Sequence, residues 1–414
     1  MSESLQDKLI KKESLFGAQN YSPLAVVLER GEGVYLWDVD GNKYLDMVSA
    51  YSAVSHGHSH PKLVKTLKEQ SEKLAITSRA FYTEPFAKFL EKLSNVSGFE
   101  SILTMNTGAE AVETAIKAAR RWGYFTKGIP ENSAEIIVAD GNFHGRTTTI
   151  VGFSSDDSYK KGFGPFAKGF ITAKYCWSEC DIEESIESFR AKINKNTCAI
   201  LVEPIQGEAG IRVPTDGWLK ALRDLCSSNN ILMILDEIQS GLGRTGKLFA
   251  FEHENIIPDG LILGKALGGA MLPISAFLSS KEIMDHFDSG SHGSTFGGNP
   301  LAAKVATKAI DLLFDENLIE NSNILGKYFK SELEKIDNKI IKEVRGKGLM
   351  LAIELDNAKL CQYLVEKGYE QGLIMFFFLF TNTAVRLSPP LIISEEEIIK
   401  ACITIKNILN KKYI

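Results

Sequence analysis

Residues 231–246 read ILMILDEIQSGLGRTG, and residues 261–276 read LILGKALGGAMLPISA. Each stretch begins with a continuous apolar run, which is typical of a strand that is buried on both faces of a parallel sheet. The first run ends at Asp236, and the second is followed almost at once by Lys265. Because the carboxyl ends of parallel strands meet at one edge of a sheet, we expect this acid and this lysine to share a crevice there.

The position predicted for Lys265 is a costly one for a charged amine. Removing an ammonium group from water without a partner costs several kcal/mol, and its pKa usually falls instead. A neutral lysine amine is a nucleophile that forms Schiff bases with carbonyl compounds. An isolated Gly-Lys pair is more often a surface residue with its stem on apolar neighbours. The acid that ends a second apolar strand 29 residues earlier favours the functional interpretation.

The composition is that of an ordinary folded protein. The 414 residues are 44% hydrophobic and 24% charged with a net charge of −5, which favours a large core and two domains. A mildly acidic chain without a basic stripe argues against nucleic acid or an anionic membrane as the main partner. No apolar stretch approaches the ~20 residues of a membrane-spanning helix.

The N-terminus and the cysteines indicate a compartment. The first residues lack the apolar core of a signal peptide, so the cytoplasm is the expected location. The cysteines show no C-x-x-C pairs and are expected to be reduced, mostly buried thiols. These are Cys176, Cys180, Cys198, Cys226, Cys361 and Cys402.

From about residue 60 the chain alternates helical and strand-like patterns, which predicts an α/β fold with a mostly parallel central sheet covered by helices. Helical spacing is found at 62–74, 85–93, 109–124, 182–193 and 217–227. Strand-like runs are found at 102–105, 135–139, 198–202, 231–236, 261–263 and 274–279.

The two ends of the chain have a different pattern. Near the N-terminus, two strand-like runs flank the turn signal Asp40-Gly41. After residue 299 we predict helices at 301–314, 324–336 and from 394, with strands near 344–355 and 383–387. We therefore predict a smaller α+β domain built from both termini. Residues 1–55 form its N-terminal arm and first part, 56–298 the large domain, and 299–414 the remainder.

A helix start follows the strand that ends at Met105. Thr107 and Glu110 have the spacing of a capping box, which is the more frequent interpretation of such a pattern. Free N–H groups and the helix dipole at the same place also bind phosphate.

Other loops carry groups suited to a planar or anionic ligand. In DGNFHGRTTT (140–149) Phe143 is suited to stacking on a ring, and Arg146 to pairing with a carboxylate. The hydroxyl and N–H groups of HGSTFGGNP (292–300) are suited to an anion.

A buried arginine and a loop with two carboxylates complete the candidate site. Arg386 lies in an otherwise apolar strand and needs an acidic partner or an anionic ligand. EPIQGEAG (203–210) ends a strand with two carboxylates, although two exposed acids in a turn would be more usual.

Two motifs are poor matches to sites that they superficially resemble. GLGRTGKL (241–248) has the phosphate-loop spacing but ends on Leu248, where Ser or Thr must bind magnesium. The histidines of HGHSHP (56–61) lack a carboxylate or cysteine set for zinc, and Pro61 marks a helix start, so we interpret them as a turn and predict no metal site.

The order and spacing of these motifs resemble the class III pyridoxal-phosphate aminotransferases of fold type I, from about residue 15 to the end of the chain. The motifs are NTGAEA (106–111), NFHGRT (142–147), EPIQGE (203–208), LDEIQSG (235–241), GKALGG (264–269), HGSTFGGNP (292–300) and RLSPPL (386–391). Within this class, four N-terminal segments are most similar to the ornithine δ-aminotransferases. They are FGAQNYSPL (16–24), VVLERG (26–31), SAYSAV (49–54) and TSRAFY (77–82).

The resemblance implies which residues hold the ring of pyridoxal 5′-phosphate. Lys265 would bind the cofactor's aldehyde covalently and act as general base and acid. Asp236 would pair with the pyridinium nitrogen, so that the ring accepts electrons. Gln239 would hydrogen-bond the phenolic oxygen, and Phe143 would stack on the ring.

The resemblance also implies a shared site for the phosphate. The backbone N–H groups of Gly108 and Ala109 would bind the phosphate of their own subunit. Thr295, with Ser294 beside it, would reach the phosphate of a neighbouring subunit. This arrangement implies a homodimer.

For the substrate, the resemblance implies transfer of the δ-amino group of L-ornithine to 2-oxoglutarate, giving glutamate 5-semialdehyde and glutamate. Tyr21 and Arg146 would hold the α-amino and α-carboxylate groups of ornithine, with Tyr51 in the same pocket. Glu208 and Arg386 would pair while ornithine is bound and separate for 2-oxoglutarate. The alternatives are another class III ω-aminotransferase (acetylornithine, lysine or 4-aminobutyrate), a related aminomutase, and a phosphate-loop nucleotide-binding protein.

The sequence departs from the family at two places. His144 replaces the tryptophan of the animal-type ornithine enzymes. The run GLIMFFFLFTNTAVR (372–386) is longer than its family counterpart and rich in phenylalanine. It would either line a more apolar pocket or form a packed strand, and we interpret it as a strand.

Overall fold

The secondary structure of the computed structural model, which describes residues 4–411, follows the apolar patterns of the sequence. The helices are Leu5–Phe16, Pro61–Ser71, Glu84–Ser97, Gly108–Phe125, Thr148–Gly152, Ile182–Arg190, Trp218–Ser228, Lys281–Met284, Pro300–Asp315, Leu318–Glu334, Ala358–Glu370 and Glu395–Lys411. The strands, β1 to β14 in chain order, are Leu28–Glu32, Tyr35–Asp38, Lys43–Asp46, Ser101–Met105, Glu135–Ala139, Phe170–Ala173, Thr197–Val202, Leu232–Asp236, Gly260–Leu263, Ser275–Ser279, Ile341–Lys347, Met350–Leu355, Leu373–Ile374 and Ala384–Leu387.

A seven-stranded sheet has the order β4-β10-β9-β8-β7-β5-β6. Strands β5 to β9 pair in parallel, whereas β10 is antiparallel to both of its neighbours. Every residue of β7, β8 and β9 is buried, as expected for strands that helices cover on both faces. The predicted α/β fold with a mostly parallel sheet is confirmed.

The strand ends of this sheet bring the sequence motifs together. Since β10 is antiparallel to both β4 and β9, strand β4 runs in the same direction as the parallel strands. Six strands therefore end at one edge of the sheet, and the chain leaves five of them at residues of the motifs: at Asn106, Asp140, Glu203, Glu237 and Gly264. The predicted crevice lies at this edge.

Two smaller sheets join segments that are distant in the sequence. In the first, β13 pairs in parallel with β3, so that residues 373–374 extend the N-terminal strands β1 to β3. The Asp40-Gly41 turn connects β2 and β3, as predicted. The second sheet has the order β11-β12-β14. The domain boundaries at residues 55 and 298 stay predictions.

The phenylalanine-rich run is not a regular strand for most of its length. Its two ends belong to sheets, Leu373–Ile374 to β13 and residues 384–386 to β14, and between them Phe376 makes a single bridge to Arg386. Beyond it, the backbone N–H of Phe380 donates to the carbonyl of Glu208 in the large-sheet loops. Because the chain leaves the small sheet to reach these loops, the interpretation as a packed strand is wrong.

One disulfide was not expected from the sequence. The structure joins Cys176 to Cys180, so the prediction of reduced thiols is wrong for this pair. Both lie in the loop after β6, where their Cα atoms are 5.3 Å apart, within the range that a disulfide spans. The other four cysteines are free and buried, as predicted.

The histidine cluster at 56–61 and the GLGRTGKL loop at 241–248, which only superficially resemble a zinc site and a phosphate loop, have structural roles. Each histidine of residues 56–60 hydrogen-bonds a different segment: His56 to Ala309, His58 to Asp46 and His60 to Glu316. In the GLGRTGKL loop, the guanidinium of the fully buried Arg244 donates to the backbone carbonyls of Leu349 and Pro389. No helix within residues 4–411 is long and apolar enough to cross a membrane.

Candidate active site

Lys265 follows β9 and begins a short 3₁₀ turn at the carboxyl edge of the large sheet. Its φ of 43° lies in the left-handed region that L-residues rarely adopt. The side chain lines a cavity of about 200 Å³. Among residues 4–411 its amine has no hydrogen-bond or ion-pair partner. Burial lowers the pKa of Lys265 to about 8, so a neutral, nucleophilic amine is accessible near neutral pH.

Residues from five of the six strand ends surround this amine. The cavity is lined by Gly108, Ala109, Phe143, His144, Gly145, Glu203, Ile205, Asp236, Ile238, Gln239 and Lys265. The predicted crevice is therefore present, and it contains the predicted catalytic pair and most of the predicted cofactor residues.

Asp236 is held by His144 and by its own chain. One carboxylate oxygen accepts a hydrogen bond from His144 Nδ1 at 2.7 Å, and the other accepts the N–H of Ile238 at 3.0 Å. Burial alone would lower the pKa of His144, but the hydrogen bond and charge of Asp236 raise it overall. The His144 imidazole thus keeps an acceptor carboxylate fixed in the cavity, a task that the sequence had not assigned to it.

Glu203 is a buried acid whose role was not predicted from the sequence. Its carboxylate accepts backbone N–H groups from Phe143 at 3.0 Å and from Gly207 at 3.1 Å. Burial raises the pKa of Glu203 to about 7, against the opposing effect of His144. Its signal in the sequence was its place directly after a buried strand. Glu203 connects the loop that carries Phe143 to the loop that carries Glu208.

The helix start at Gly108 has the predicted capping box. Thr107 accepts the N–H of Glu110 at 3.2 Å, and the Glu110 carboxylate accepts the N–H of Thr107 at 2.7 Å. The first N–H groups of a helix have no intrahelical partner, and here those of Gly108 and Ala109 adjoin the cavity. A Cβ at Gly108 would lie 2.7 Å from Ile238 Cδ1, so the end of that isoleucine side chain would have to shift to admit a larger residue.

Glu208, Gln239 and Arg386 form one buried cluster. Arg386 Nη2 is 2.7 Å from Glu208 Oε1, and Arg386 Nη1 donates to Gln239 Oε1 at 2.6 Å. Gln239 Nε2 also donates to Glu208 at 3.1 Å. The predicted switch pair is thus in its paired form. Because the amide of Gln239 is engaged in this pair, its contact with the cofactor stays a prediction.

The five predicted substrate residues lie near one another but do not line the Lys265 cavity, and Arg146 lines a separate cavity with Tyr159. Tyr51 interacts electrostatically with Glu208, Arg386, Tyr21 and Arg146. Within residues 4–411, Arg146 has no ion-pair partner, and its guanidinium lies 5.1 Å from the ring of Tyr159. Arg386 is therefore buried and neutralised by Glu208, whereas Arg146 is exposed and available to an anion.

Tyr51 is presented by a strained turn. Residues 49–52 all have φ between 45° and 74°, although the left-handed conformation costs an L-residue about 1–2 kcal/mol. Asp46 stabilises the turn by accepting the N–H groups of Val48 and Ser49, and Ser49 Oγ donates to the Ser388 carbonyl at 2.6 Å. Strain of this kind is found mainly at functional sites.

Ser294 and Thr295 do not line the Lys265 cavity. They line a separate cavity of about 540 Å³ beside Asn106 and Phe296. Ser294 Oγ accepts a hydrogen bond from Asn106 Nδ2 at 2.8 Å. Their predicted contact with a neighbouring subunit's phosphate stays a prediction.

The cavity fits pyridoxal phosphate group by group. Lys265 matches the aldehyde, Asp236 the ring nitrogen, Phe143 the ring face, and the N–H groups of Gly108 and Ala109 the phosphate. The glycine cradle at position 108 provides the close backbone approach that a phosphate needs. The fold and these groups define a pyridoxal-phosphate enzyme of the α/β type.

Comparison with known proteins agrees with this class. The family model "Aminotransferase class-III" matches residues 16–409. The ornithine aminotransferase of Brevibacillus brevis is 51% identical over 402 residues, which cover 97% of this chain and 98% of that protein. The chain belongs to the class III aminotransferases, whose cofactor is pyridoxal phosphate.

Two solved structures share the whole fold. The ornithine aminotransferase of Toxoplasma gondii ME49 has a TM-score of 0.94 at 38% identity, covering 99% of this chain and 96% of that chain. The acetylornithine aminotransferase of Elizabethkingia anophelis has a TM-score of 0.89 at 49% identity, covering 98% of this chain and 99% of that chain.

The lowered pKa of Lys265 predicts a pH dependence for its attachment to the cofactor. Protonated amine is unreactive, so the rate constant for uptake of pyridoxal phosphate by cofactor-free protein should rise up to about pH 8 and level off above about pH 9. Absorbance of the bound cofactor measures this rate. A short lysine peptide is the control, because its ordinary pKa makes the rate rise through about pH 10. A continued rise of the same kind in the protein would contradict the prediction.

Proposed function

We propose that the chain transfers the δ-amino group of L-ornithine to 2-oxoglutarate and forms glutamate 5-semialdehyde and glutamate. The observation that carries this proposal is the unequal state of two arginines: Arg386 is neutralised by Glu208, whereas Arg146 has no acidic partner within residues 4–411. An amino donor with one carboxylate needs one arginine that is free to bind it, whereas a dicarboxylate acceptor needs two. The relatives named ornithine aminotransferase support the same donor.

The donor is oriented by the outer part of the site. Arg146 binds the α-carboxylate of ornithine and Tyr21 its α-amino group, which leaves the δ-amino group facing Lys265. Glu208 cancels the charge of Arg386, so that the cationic amine is not repelled. This neutralisation is possible because both partners are buried, where their attraction is little screened.

The reaction itself uses few protein groups. When bound, pyridoxal phosphate withdraws electrons from the substrate carbon that bears the nitrogen. Asp236, held by His144, keeps the ring nitrogen protonated. Lys265 removes the proton from the δ-carbon of ornithine and would deliver it to the cofactor carbon that had carried the aldehyde, which contributes on the order of 10²–10⁴-fold to the rate.

In the second half-reaction, Arg386 must become available to bind the second carboxylate of 2-oxoglutarate. Glu208 separates from Arg386, and Arg386 then binds the distal carboxylate of 2-oxoglutarate. The same cavity thereby accepts a cationic amine and a dianion in turn. An arginine without this partner would repel the amine.

We also propose a homodimer with shared active sites. Ser294 and Thr295 lie outside the Lys265 cavity, in a cavity that exposed apolar side chains also line. Phe296 is 57% exposed and Ile76 38%, and apolar patches of this kind mark protein interfaces. The cytoplasmic location stays a prediction.

The donor is tested by single half-reactions of the holoenzyme with ornithine, N-acetylornithine, lysine and 4-aminobutyrate, each followed by cofactor absorbance. Ornithine is expected to react with the highest ratio of rate to half-saturating concentration. N-acetylornithine is the second candidate, because one relative with 49% identity carries that name. Equal or faster reaction of N-acetylornithine would refute the ornithine proposal.

Glu208→Ala is expected to release Arg386 permanently. The preference for ornithine over glutamate as amino donor should fall by on the order of 10-fold. The second carboxylate of glutamate needs an unpaired Arg386, whereas the positive charge of an unpaired Arg386 repels the cationic ornithine. Half-reaction rates with each donor measure the change. Glu208→Gln is the matched variant: it keeps the side-chain size and should act in the same direction if charge is the cause. Unchanged glutamate kinetics in both variants would refute the switch.

A further inference from the structure

The aromatic segment, residues 376–380 (FFFLF), lies directly against the proposed substrate residues. Its side chains alternate, as in an extended chain. Phe376, Phe378 and Phe380 contact residues of the site, whereas Phe377 packs against the main core and Leu379 is 37% exposed. The side of the segment that faces the site therefore consists of three phenylalanine rings.

The backbone of the aromatic segment is bonded to both members of the switch pair. The Phe376 carbonyl accepts the N–H of Arg386 at 2.9 Å, and the N–H of Phe380 donates to the carbonyl of Glu208 at 3.1 Å. Phe378, midway between these bonds, is thereby placed opposite the guanidinium of Arg386.

Arg386 lies close to two aromatic rings. Its Cζ atom is 4.5 Å from the ring centroid of Phe378 and 5.2 Å from that of Tyr51. The side chain is completely buried, and its two terminal nitrogens point to Gln239 and Glu208. Stacking of this kind is worth more when the cation is desolvated. The rings hold the planar cation and leave its edge free for acids.

The two partners of the pair are held unequally. Arg386 belongs to β14 and has aromatic rings nearby on two sides, while Glu208 lies in a loop and its carboxylate contacts only Arg386 and Gln239 among residues 4–411. Moving Arg386 would give up its aromatic contacts. Moving Glu208 breaks its hydrogen bonds to Arg386 and Gln239, and a substrate carboxylate can then accept these hydrogen bonds in its place.

We propose that Phe378 is a positioning residue that fixes Arg386 as the receptor for the second carboxylate of the acceptor. This inference rests on the proposed function, because it assigns the second carboxylate to Arg386. It makes Phe378 a determinant of acceptor binding and not of donor binding. Phe378 is itself 7% exposed and packs with Ile205 and Met350, which keeps its ring in place.

The test separates binding of a dicarboxylate from reaction with the donor. Phe378→Leu and Phe378→Met remove the ring and keep an apolar side chain, and methionine adapts to the space if leucine destabilises the fold. Leu379→Ala, on the exposed side of the segment, is the control. Calorimetric titration of each holoenzyme with glutarate, which has two carboxylates but no amino or oxo group, measures the receptor directly. Stopped-flow absorbance measures the ornithine half-reaction separately.

Loss of the ring is expected to weaken glutarate binding on the order of 10-fold and to change the ornithine half-reaction by less than about 2-fold. The Leu379→Ala variant should match the original protein in both measurements. Glutarate binding that is unchanged or tighter in both Phe378 variants would overturn the proposal. An equal loss in both half-reactions would also overturn it, since that is the effect of general damage to the site. If the original enzyme reacted with no ornithine at all, the proposed function would fail, while glutarate titration would still report on Arg386.

Discussion

Lys265→Ala is expected to lower the turnover number by at least about 10⁴-fold, because we propose that the same amine attaches the cofactor and moves the substrate proton. Lys265 is the only lysine that lines the cavity, and the His144 imidazole is engaged by Asp236. The remaining groups bind and orient but do not transfer this proton. Steady-state turnover with ornithine and 2-oxoglutarate measures the loss.

The stability of Lys265→Ala should be equal to or higher than that of the original protein. The amine is desolvated without a partner in residues 4–411, and alanine removes that cost. Lys281→Ala is the matched control, since Lys281 is exposed and follows the neighbouring strand β10. Borohydride reduction should fix the cofactor to the original protein and to the Lys281 variant only. Turnover of Lys265→Ala within about tenfold of the original would contradict the assigned role.

Arg244→Met is expected to lower the free energy of unfolding by about 3–5 kcal/mol, since several buried polar groups lose their partner together. Its guanidinium donates to the carbonyls of Leu349 at 3.0 Å and Pro389 at 2.5 Å. It also donates to Ser55 at 3.1 Å and contacts Ser49 at 3.4 Å, next to the turn that presents Tyr51. Arg244 therefore joins a large-sheet loop to both ends of the chain.

Urea unfolding and the apparent melting temperature of the holoenzyme measure this loss. Lys247→Met is the control, because it changes an exposed cation in the same loop. A destabilisation below about 1 kcal/mol for Arg244→Met would show that water replaces the buried hydrogen bonds, and the structural role would be refuted.

The crevice was predictable because its parts are local patterns. The strands that lead to Asp236 and Lys265 are continuous apolar runs, and the rule that parallel strands end together places both residues at one edge. The capping box at Thr107 is equally local, since its partners are three residues apart. The predicted boundaries near these residues differ from the observed ones by one or two positions.

The remaining parts of the site depend on contacts between distant segments. Arg386 meets Gln239 and Glu208 across 147 and 178 positions, and no local pattern specifies such a pairing. The same holds for Glu203, whose carboxylate accepts an N–H group 60 positions away. The phenylalanine-rich run has the composition of a strand, but its path is set by the loops that it must reach.

By itself, the sequence determined the α/β sheet and the lysine and the acid at its edge, because periodicity and strand ends follow from covalent order. Its motifs also carried the resemblance to the class III aminotransferases. The resemblance had implied that Glu208 pairs with Arg386, but only the tertiary structure decided that Arg386 is completely buried while Arg146 has no ion-pair partner within residues 4–411. It also decided that residues 49–52 adopt a left-handed turn and that Phe378 lies against the receptor. These features depend on burial and on side chains from different elements, and both exist only after the chain has packed.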